Sequence, residues 1–370
     1  MSKILFVCTT DSMIWNFLIP HINYLKSQGH IVECACSKTG FYYDELIEKY
    51  GLILNYVPFK RNPYSVANIK SLFRLMGIIK KDNIDVVFCH EPVGGALGRI
   101  AGYICGCKII YMAHGFHFFK DNYYLKNLIY SFIEQRLAKI TDRIIVINDE
   151  DYKSASGFCL KKGGGVFKVD GIGCDIQKIQ NMQLDVWRKR AELGIARDAF
   201  VIITVAELIP RKNIEVGIKA FCKANLSNSV YIICGEGGEQ DKLKKIANNR
   251  GDIRFLGFRK DIKELNRIAN VCLFPSKQEG LSIAVIEAMA EGLPMVVSDA
   301  RGVKDCVIDG KSGVICEKNN VNEFSDALKF IYGKNKEAIN SYYVFNRAHS
   351  KKYDINHIFS EMGVVYKDIL

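Results

Sequence analysis

Short runs of apolar residues alternate along the chain with longer segments whose apolar positions recur at helical spacing. The first run, Lys3–Cys8, precedes Asn16–Gln28, in which apolar residues recur every three or four positions until Gly29 ends the segment. Continuous apolar runs of this length predict strands buried on both faces, and the periodic segments predict the helices that cover them.

The same alternation continues through both halves of the chain. The predicted strands are Lys3–Cys8, Ile31–Cys36, Ile53–Pro58, Ile84–Cys89, Lys108–Ala113, Arg143–Ile147, Phe200–Val205, Val230–Cys234, Ile253–Leu256, Val271–Pro275 and Met295–Ser298. The predicted helices are Asn16–Gln28, Phe41–Tyr50, Val66–Lys81, Gly94–Cys105, Leu125–Ile140, Ile214–Lys223, Glu239–Asn248, Ile262–Ile268, Ile283–Glu291, Val321–Tyr332 and Asp354–Leu370. Strands that alternate with helices favour parallel sheets.

A glycine-rich, weakly periodic stretch, Lys161–Asp185, separates the two halves and is predicted to be a linker. We therefore expect an N-terminal Rossmann-like domain over residues 1–172 and a C-terminal one over 173–351. Residues 352–370 are expected to form a helix that returns to the N-terminal domain. Two such domains facing a cleft bring the carboxyl ends of their strands together, and ligands bind there in open α/β sheets.

The charge and the cysteine content indicate the kind of partner and the cellular compartment, but they do not identify a ligand. The chain has 51 lysines and arginines against 40 acidic residues, and the excess is spread over both halves. This balance favours anionic partners: nucleotides, phospholipid surfaces or nucleic acid. The 13 scattered cysteines indicate a reducing compartment. No run predicts a membrane-spanning helix or a signal peptide, so we expect a cytoplasmic protein, in solution or at a membrane surface.

The segment after the predicted strand Val271–Pro275 carries the clearest candidate chemistry. Glu279 and Glu287 are eight positions apart, and Gly280–Ser282 lie at the start of the following helix. Free N–H groups at a helix start bind anions such as phosphate, and flanking carboxylates accept hydrogen bonds from sugar hydroxyls. On these residues alone, a helix-capping Glu279 with a solvated Glu287 is an equal alternative.

Two further loops follow predicted strands of the C-terminal half. Arg211 and Lys212 suit a diphosphate, although adjacent cations are more often ordinary surface residues. Gly235–Gly238 lacks the G-x-G-x-x-G pattern and mainly predicts a tight turn from strand to helix.

The segment Phe274–Glu287 resembles the E-x7-E signature of the retaining family 4 glycosyltransferases, which have the GT-B fold. Gly292-Leu293-Pro294, Gly310–Gly313 and His114–Phe119 also fit the pattern, the last one resembling capsule and exopolysaccharide members. The resemblance spans nearly the whole chain.

By this resemblance, the C-terminal domain binds the donor. Glu287 would bind the ribose hydroxyls, and Glu279 would contact the C3 and C4 hydroxyls of the transferred sugar. The other implied donor residues are Gly280, Leu281 and Ser282, which hold sugar and phosphate, Arg211 and Lys212, which clamp the diphosphate, and the base-binding turn Phe258-Arg259. One departure is Glu207, which stands where many members have an arginine.

The resemblance also assigns residues of the N-terminal domain. His114 would line the donor-sugar pocket near the anomeric carbon, where it would bind the C6 hydroxyl or stabilise the oxocarbenium charge; a structural role is the alternative from the residue alone. His117 is a weaker candidate for the acceptor side. Asp11, Ser12 and Asn16 follow the first strand and are also placed on the acceptor side.

The expected activity is a retaining, metal-independent transfer of a sugar from UDP to a lipid-linked saccharide in capsule or exopolysaccharide assembly. The donor sugar is expected to be an N-acetylhexosamine. No cofactor or metal is predicted, because Cys34-x-Cys36 and Cys105-x-Cys107 lack the paired spacing of zinc sites. The basic segment Val66–Ile79 fits either a helix on an anionic membrane or a core-packed helix with a solvated face.

Two other classes remain open at this point. A non-hydrolysing UDP-sugar epimerase has a similar two-domain fold and length, and would form its product without an acceptor. A non-catalytic anion-binding protein, for example one for nucleic acid, predicts clustered basic and aromatic residues, whereas the basic residues here are dispersed among acidic ones.

Overall fold

The computed structural model describes residues 1–40, 42–120 and 122–370. It contains two compact units: an N-terminal unit of Met1–Ile172 with Ile358–Leu370, and a C-terminal unit of Gly173–His357. Each unit is built on one parallel sheet, so the two parallel-sheet α/β domains expected from the sequence are confirmed.

The sheet of the N-terminal unit has seven strands in the order β3-β2-β1-β4-β5-β6-β7. These strands are β1 Lys3–Thr10, β2 Ile31–Ser37, β3 Ile53–Tyr56, β4 Val86–His90, β5 Lys108–Ala113, β6 Arg143–Val146 and β7 Gly165–Lys168. The helices are α1 Asp11–Met13, α2 Ile19–Ser27, α3 Tyr43–Glu48, α4 Ala67–Asp82, α5 Pro92–Ile104, α6 Tyr124–Ala138 and α7 Asp149–Ala155, with a π-helical turn over Ile14–Leu18. Phe41, the first residue of one predicted helix, lies outside the described residues.

The sheet of the C-terminal unit has six strands in the order β10-β9-β8-β11-β12-β13. They are β8 Phe200–Val205, β9 Ser229–Cys234, β10 Ile253–Gly257, β11 Val271–Phe274, β12 Met295–Ser298 and β13 Gly313–Cys316. The remaining helices are α8 Ile176–Gln180, α9 Val186–Glu192, α10 Ile214–Ala224, α11 Gln240–Ile246, α12 Ile262–Ile268, α13 Ile283–Glu291, α14 Val321–Tyr332, α15 Lys336–His349 and α16 Ile355–Tyr366.

Burial explains why the strands could be recognised as apolar runs. Every residue of β9, β11 and β12 is buried, because helices cover both faces of the sheet. The strand order reverses between β1 and β4 in one unit and between β8 and β11 in the other. Loops leaving adjacent strands in opposite directions open a crevice at such a reversal, which is the usual ligand site of this fold.

The predicted linker Lys161–Asp185 contains regular secondary structure, and the division between the two units falls inside it, after Ile172. Gly165–Lys168 forms β7, which pairs in parallel with β6, and Ile176–Gln180 forms α8. Both elements are short, and the glycines around them made it difficult to recognise their apolar residues as a strand and a helix. The short strand β13 and the helices α7, α9 and α15 were also missed.

Candidate active site

The loops that follow β8 and β11 meet at the strand reversal of the C-terminal unit. The β8 loop leads to a single 3₁₀ turn, Pro210–Lys212, before α10 begins. The β11 loop is tied to it because the backbone N–H of Lys277 donates to the carbonyl of Arg211 at 2.8 Å. Residues that lie 67 positions apart in the sequence thereby share one site.

Glu279 is the centre of this site. Its side chain is 7% exposed and forms ion pairs with the Lys212 Nζ at 2.6 Å and with an Arg211 guanidinium nitrogen at 3.0 Å. The Ser276 hydroxyl donates to the same carboxylate at 2.7 Å. The sequence predicted Glu279, Arg211 and Lys212 as site residues but not their mutual contact, and it missed Ser276.

These contacts determine the charge state of the cluster. Burial on its own raises the pKa of Glu279, but the charges of Lys212 and Arg211 outweigh it and lower that pKa from its ordinary value. An ionised Glu279 between two cations leaves one net positive charge and holds both cations in fixed positions. A pre-positioned cation pair of this kind suits a diphosphate.

Helix α13 starts at Ile283, four residues after Glu279, with Ser282 as its N-cap residue and no capping bond from the Ser282 side chain. The first turn of a helix presents backbone N–H groups that suit an anion. A second loop holds this start in place. The N–H of Glu279 donates to the Arg301 carbonyl at 3.1 Å, and Gly302 lies so close that a Cβ would come within 2.4 Å of the Gly280 carbonyl oxygen. Sequence reasoning missed this loop.

Glu287 lies one to two turns into α13 and is half-buried, so the alternative of a fully solvated side chain was wrong. Burial raises its pKa, the nearby Lys263 opposes that rise and Glu291 adds to it. The carboxylate makes no hydrogen bond or ion pair with any residue that the structure describes. A half-buried acceptor group without a protein partner is suited to bind a polar ligand.

The glycine loop after β9 is a tight turn, as predicted. Gly235 has φ of +133°, and a Cβ on it would come within 1.9 Å of the Ala206 carbonyl oxygen. Glu236 accepts a hydrogen bond from the N–H of Phe258 at 3.3 Å, which connects this loop to the predicted base-binding turn.

In that turn, the ring of Phe258 is 59% exposed, and the guanidinium of Arg259 pairs with Asp261. The side chain of Arg259 is therefore held within the turn, whereas the ring of Phe258 is open to solvent. Glu207 is exposed on the β8 loop.

In the N-terminal unit, His114 follows β5 and lies next to His90, the last residue of β4. The Nδ1 atom of His90 is 3.1 Å from the Nε2 atom of His114, and the two rings stack. Burial and neighbouring histidines lower both pKa values, that of His114 to about 4, so both rings are neutral at pH 7. In the sequence His90 directly follows the predicted strand Ile84–Cys89, but its contact with His114 was not predictable from that position.

The residues placed on the acceptor side differ in their environment. Asp11 is fully buried, and both of its oxygens accept hydrogen bonds from Thr39, so its carboxylate has no surface for a ligand. Ser12 is half-buried and bonds to Thr10, while Asn16 is exposed and donates to the Ser12 carbonyl at 2.8 Å. We therefore reassign Asp11 to holding the Thr39 loop.

His117 lines a cavity of about 390 Å³ within the N-terminal unit. Glu91 lies at the same cavity in a backbone conformation that is rare outside glycine, with φ of +61°. Its carboxylate accepts a hydrogen bond from the N–H of Thr10 at 3.1 Å, and burial raises its pKa despite that bond. The cavity was not predictable from the sequence, because its lining combines helices, strands and loops that are far apart along the chain.

Comparison with known proteins identifies the class to which this fold and site belong. The family model described as "Glycosyl transferases group 1" matches residues 185–342, and "Glycosyl transferase 4-like" matches residues 3–148. The chain belongs to the family 4 glycosyltransferases, which have the GT-B fold, so the family resemblance noted from the sequence is confirmed. It is a hexosyltransferase.

Two relatives and one solved structure are similar to the chain over most of its length. The chain is 32% identical over 342 residues to the protein of Bacillus subtilis named "Putative glycosyltransferase EpsD", covering 90% of this chain and 88% of the relative. It is 31% identical over 281 residues to the UDP-Gal:alpha-D-GlcNAc-diphosphoundecaprenol alpha-1,3-galactosyltransferase of Escherichia coli, covering 72% and 71%. The crystal structure of Anabaena Alr3699/HepE in complex with UDP and glucose superposes with a TM-score of 0.82 at 19% identity, covering 99% of both chains.

Proposed function

We propose that this glycosyltransferase moves a sugar from a UDP donor, with retention of the anomeric configuration, to a lipid-linked saccharide in capsule or exopolysaccharide assembly. The observation that carries the proposal is the cluster of Glu279 with Arg211 and Lys212 at the start of α13. It combines an anion site with a carboxylate that accepts hydrogen bonds from sugar hydroxyls. The name of the HepE complex includes UDP, which supports the nucleotide. The name of the E. coli relative includes UDP and a diphosphoundecaprenol-linked sugar, which supports both the nucleotide and the lipid-linked acceptor.

In this mechanism, the bond between the anomeric carbon and the β-phosphate oxygen breaks first. Arg211, Lys212 and the N–H groups at the start of α13 stabilise the negative charge that develops on the departing UDP. The acceptor hydroxyl then forms the new bond on the same face of the sugar. Its proton passes to the departing phosphate oxygen, so no separate protein base is required.

His114 has a role in this proposal because the family resemblance implies that it contacts the donor sugar. It is neutral at pH 7 and acts as a hydrogen-bond partner of the donor sugar. Glu287 accepts hydrogen bonds from the ribose, and the turn containing Phe258 receives the base. The acceptor side includes Ser12, Asn16 and His117.

The identity of the donor sugar is the finer part of the proposal. The sequence analysis favours an N-acetylhexosamine, whereas the E. coli relative is named for galactose. A panel of UDP- and GDP-sugars, each tested for thermal stabilisation of the protein and for slow hydrolysis, separates these donors. We expect UDP-sugars to raise Tm and GDP-sugars to leave it unchanged.

Metal independence is tested in the same panel. Because Arg211 and Lys212 supply positive charge to the diphosphate, we expect transfer to proceed at an unchanged rate after dialysis against EDTA. A rate that collapses in EDTA and returns with Mg²⁺ or Mn²⁺ would contradict this part of the proposal. Formation of an epimer from a UDP-sugar alone would favour the epimerase instead.

The lipid-linked acceptor implies work at a membrane surface. Within the described ranges, none of the helices combines the length and apolar character needed to cross a bilayer. We therefore propose peripheral contact with the inner face of the plasma membrane, through residues of the N-terminal unit.

A further inference from the structure

The surface of the N-terminal unit carries a helix whose apolar side chains are left uncovered. Helix α6 buries only Leu137 and Ala138. Its exposed apolar residues, each between 40% and 80% exposed, are Tyr124, Leu125, Leu128, Ile129, Phe132 and Ile133. They recur at positions i, i+4 and i+8 and so form one stripe along the helix, here called the α6 stripe. Contiguous exposed apolar surface of this kind marks an interaction site.

Helix α4 carries a second exposed stripe. Val66, Ile69 and Phe73 are 81%, 58% and 66% exposed and lie on one face, here called the α4 stripe. The opposite face packs into the core through Leu75 and Ile79. The helix therefore packs into the core on one side and exposes apolar residues on another, while the membrane contact considered from its sequence stays a prediction.

The α6 stripe and the start of α4 border the same cavity. Its lining includes Arg61 and Pro63, which precede α4, Asn68 of α4, and Tyr130 and Ile133 of α6. Ile133 also belongs to the α6 stripe, so the apolar surface is continuous with the cavity wall. The cavity extends inward to the ends of β1 and β4.

The charges beside the stripes indicate which kind of partner this surface binds. Residues 60–81 include six basic residues and no acidic one: Lys60, Arg61, Lys70, Arg74, Lys80 and Lys81, all exposed. The single acidic residue of α6, Glu134, is bound at 2.8 Å to the fully buried Arg99. Apolar residues flanked by exposed cations complement an anionic bilayer rather than a second copy of the same basic surface.

We propose that the α6 and α4 stripes insert into the headgroup region of an anionic bilayer, which places the cavity lined by α6 and the start of α4 at the membrane surface. The head of a lipid-linked acceptor then reaches the cavity without leaving the bilayer. The proposal rests on the proposed lipid-linked acceptor, and it assigns the membrane contact to both helices rather than to the basic segment alone.

Vesicle co-sedimentation tests it on the full chain. The probes are phosphatidylcholine vesicles with and without phosphatidylglycerol. Leu128→Ser/Phe132→Ser removes part of the α6 stripe, and Phe330→Ser/Val344→Ser removes exposed apolar residues of the C-terminal unit as the matched control. We expect the wild-type chain and the control to bind the anionic vesicles, and the α6 variant to bind them about tenfold more weakly or worse.

A failure of membrane binding can be distinguished from a failure of the proposed transferase activity. Thermal stabilisation by UDP, which needs no membrane, should be equal in all three proteins. Wild-type protein that stays in the supernatant, or an α6 variant that binds like the control, overturns the proposal. So does sedimentation velocity that shows a dimer which the α6 variant dissociates, because the stripe would then be an interface between copies.

A separate inference concerns the buried histidine pair. His90 is 0% exposed, and its Nε2 atom has no hydrogen-bond partner among the described residues. If His114 donated to His90, the proton of His90 would lie on that partnerless Nε2 as a buried, unsatisfied N–H. Such donors are rare in native structures. The opposite arrangement leaves only an unsatisfied acceptor, so His90 Nδ1–H donates to His114 Nε2.

This arrangement fixes the proton of His114 on Nδ1. The titratable groups that face the pair are its own two rings and His21 of α2, whose Nε2 is bonded to the Ile172 carbonyl at 2.7 Å. We infer that His90 is a positioning residue that makes His114 a hydrogen-bond donor through Nδ1 toward the donor sugar. The contact with the donor sugar rests on the proposed role of His114.

Nitrogen-15 NMR of labelled histidines measures the tautomer directly and does not depend on activity. His114→Gln assigns the His114 signals among the seven histidines. We expect the Nδ1–H form of His114 in the wild-type chain and in His90→Asn, whose amide donates from a similar position. We expect the Nε2–H form in His90→Phe.

Kinetics distinguish positioning from simple packing. His90→Phe should lower kcat about tenfold, the value of one neutral hydrogen bond, with KM for the donor nearly unchanged. His90→Asn should recover most of that loss. An Nε2–H tautomer in the wild-type chain overturns the inference, whereas the expected tautomers with unchanged kcat would show that His114 is held as inferred but does not contact the donor.

Discussion

Replacing Lys212 by methionine is expected to lower kcat/KM for sugar transfer by about a thousandfold, because the departing diphosphate loses a cation that is already in position. The same change leaves the buried Glu279 with Arg211 as its only cationic partner. Breaking a buried pair from one side costs about 3 kcal/mol of unfolding free energy. Initial rates and urea denaturation measure the two effects.

A double variant separates the two effects. Lys212→Met/Glu279→Gln removes both charges of the pair, so most of the lost stability should return while transfer stays at the low level. Lys219→Met, an exposed lysine paired with Glu215 on α10, is the control and should change neither. Recovery of activity in the double variant would show that Lys212 acts only by neutralising Glu279.

The pH dependence of stability follows from the same contact. The pKa of Glu279 is lowered in the folded protein, so the pair stabilises the fold above the unfolded carboxyl pKa of about 4.3. That contribution is lost as the pH falls through the lowered folded-state pKa. The stability difference between the wild-type chain and the double variant should therefore shrink below about pH 4.

Replacing Glu287 by glutamine is expected to raise the Kd for UDP by about tenfold to a hundredfold, because charged hydrogen bonds to the ribose are lost. The free protein should become more stable at pH 7. Burial raises the pKa of Glu287 in the fold, so its ionised form costs stability above the unfolded pKa, and a neutral amide avoids that cost. Calorimetric titration and thermal melting measure both quantities.

Glu337→Gln serves as the control, since Glu337 is an exposed carboxylate on α15. It should change neither the Kd for UDP nor the Tm. A Glu287→Gln variant that binds UDP like the wild-type chain would remove Glu287 from the nucleotide site.

Much of this site was predictable because parallel strands are buried on both faces. Apolar runs therefore marked the strands, and the polar residues directly after them, such as Arg211, Lys212 and Glu279, became candidates. The two-domain fold followed from the same alternation and is confirmed by the two sheets. The family resemblance added roles for these residues that their types alone left open.

The contacts between them were not predictable. The pair of Lys212 and Glu279 depends on β8 and β11 being neighbours, and spacing along the chain does not encode strand order. The histidine pair depends likewise on β4 beside β5. Asp11 shows the opposite error, because a polar residue after a strand proved to be fully buried and bonded to Thr39.

The most direct test is transfer itself. The purified chain is incubated with the UDP-sugar that stabilises it best and with a panel of lipid-linked saccharides, and the product is analysed by mass spectrometry and proton NMR. We predict acceptor-dependent release of UDP and a product longer by one sugar, joined through an α-linkage from an α-configured donor. A β-linkage would contradict retention, and conversion of the UDP-sugar to an epimer without any acceptor would contradict the assignment as a transferase reaction at this site.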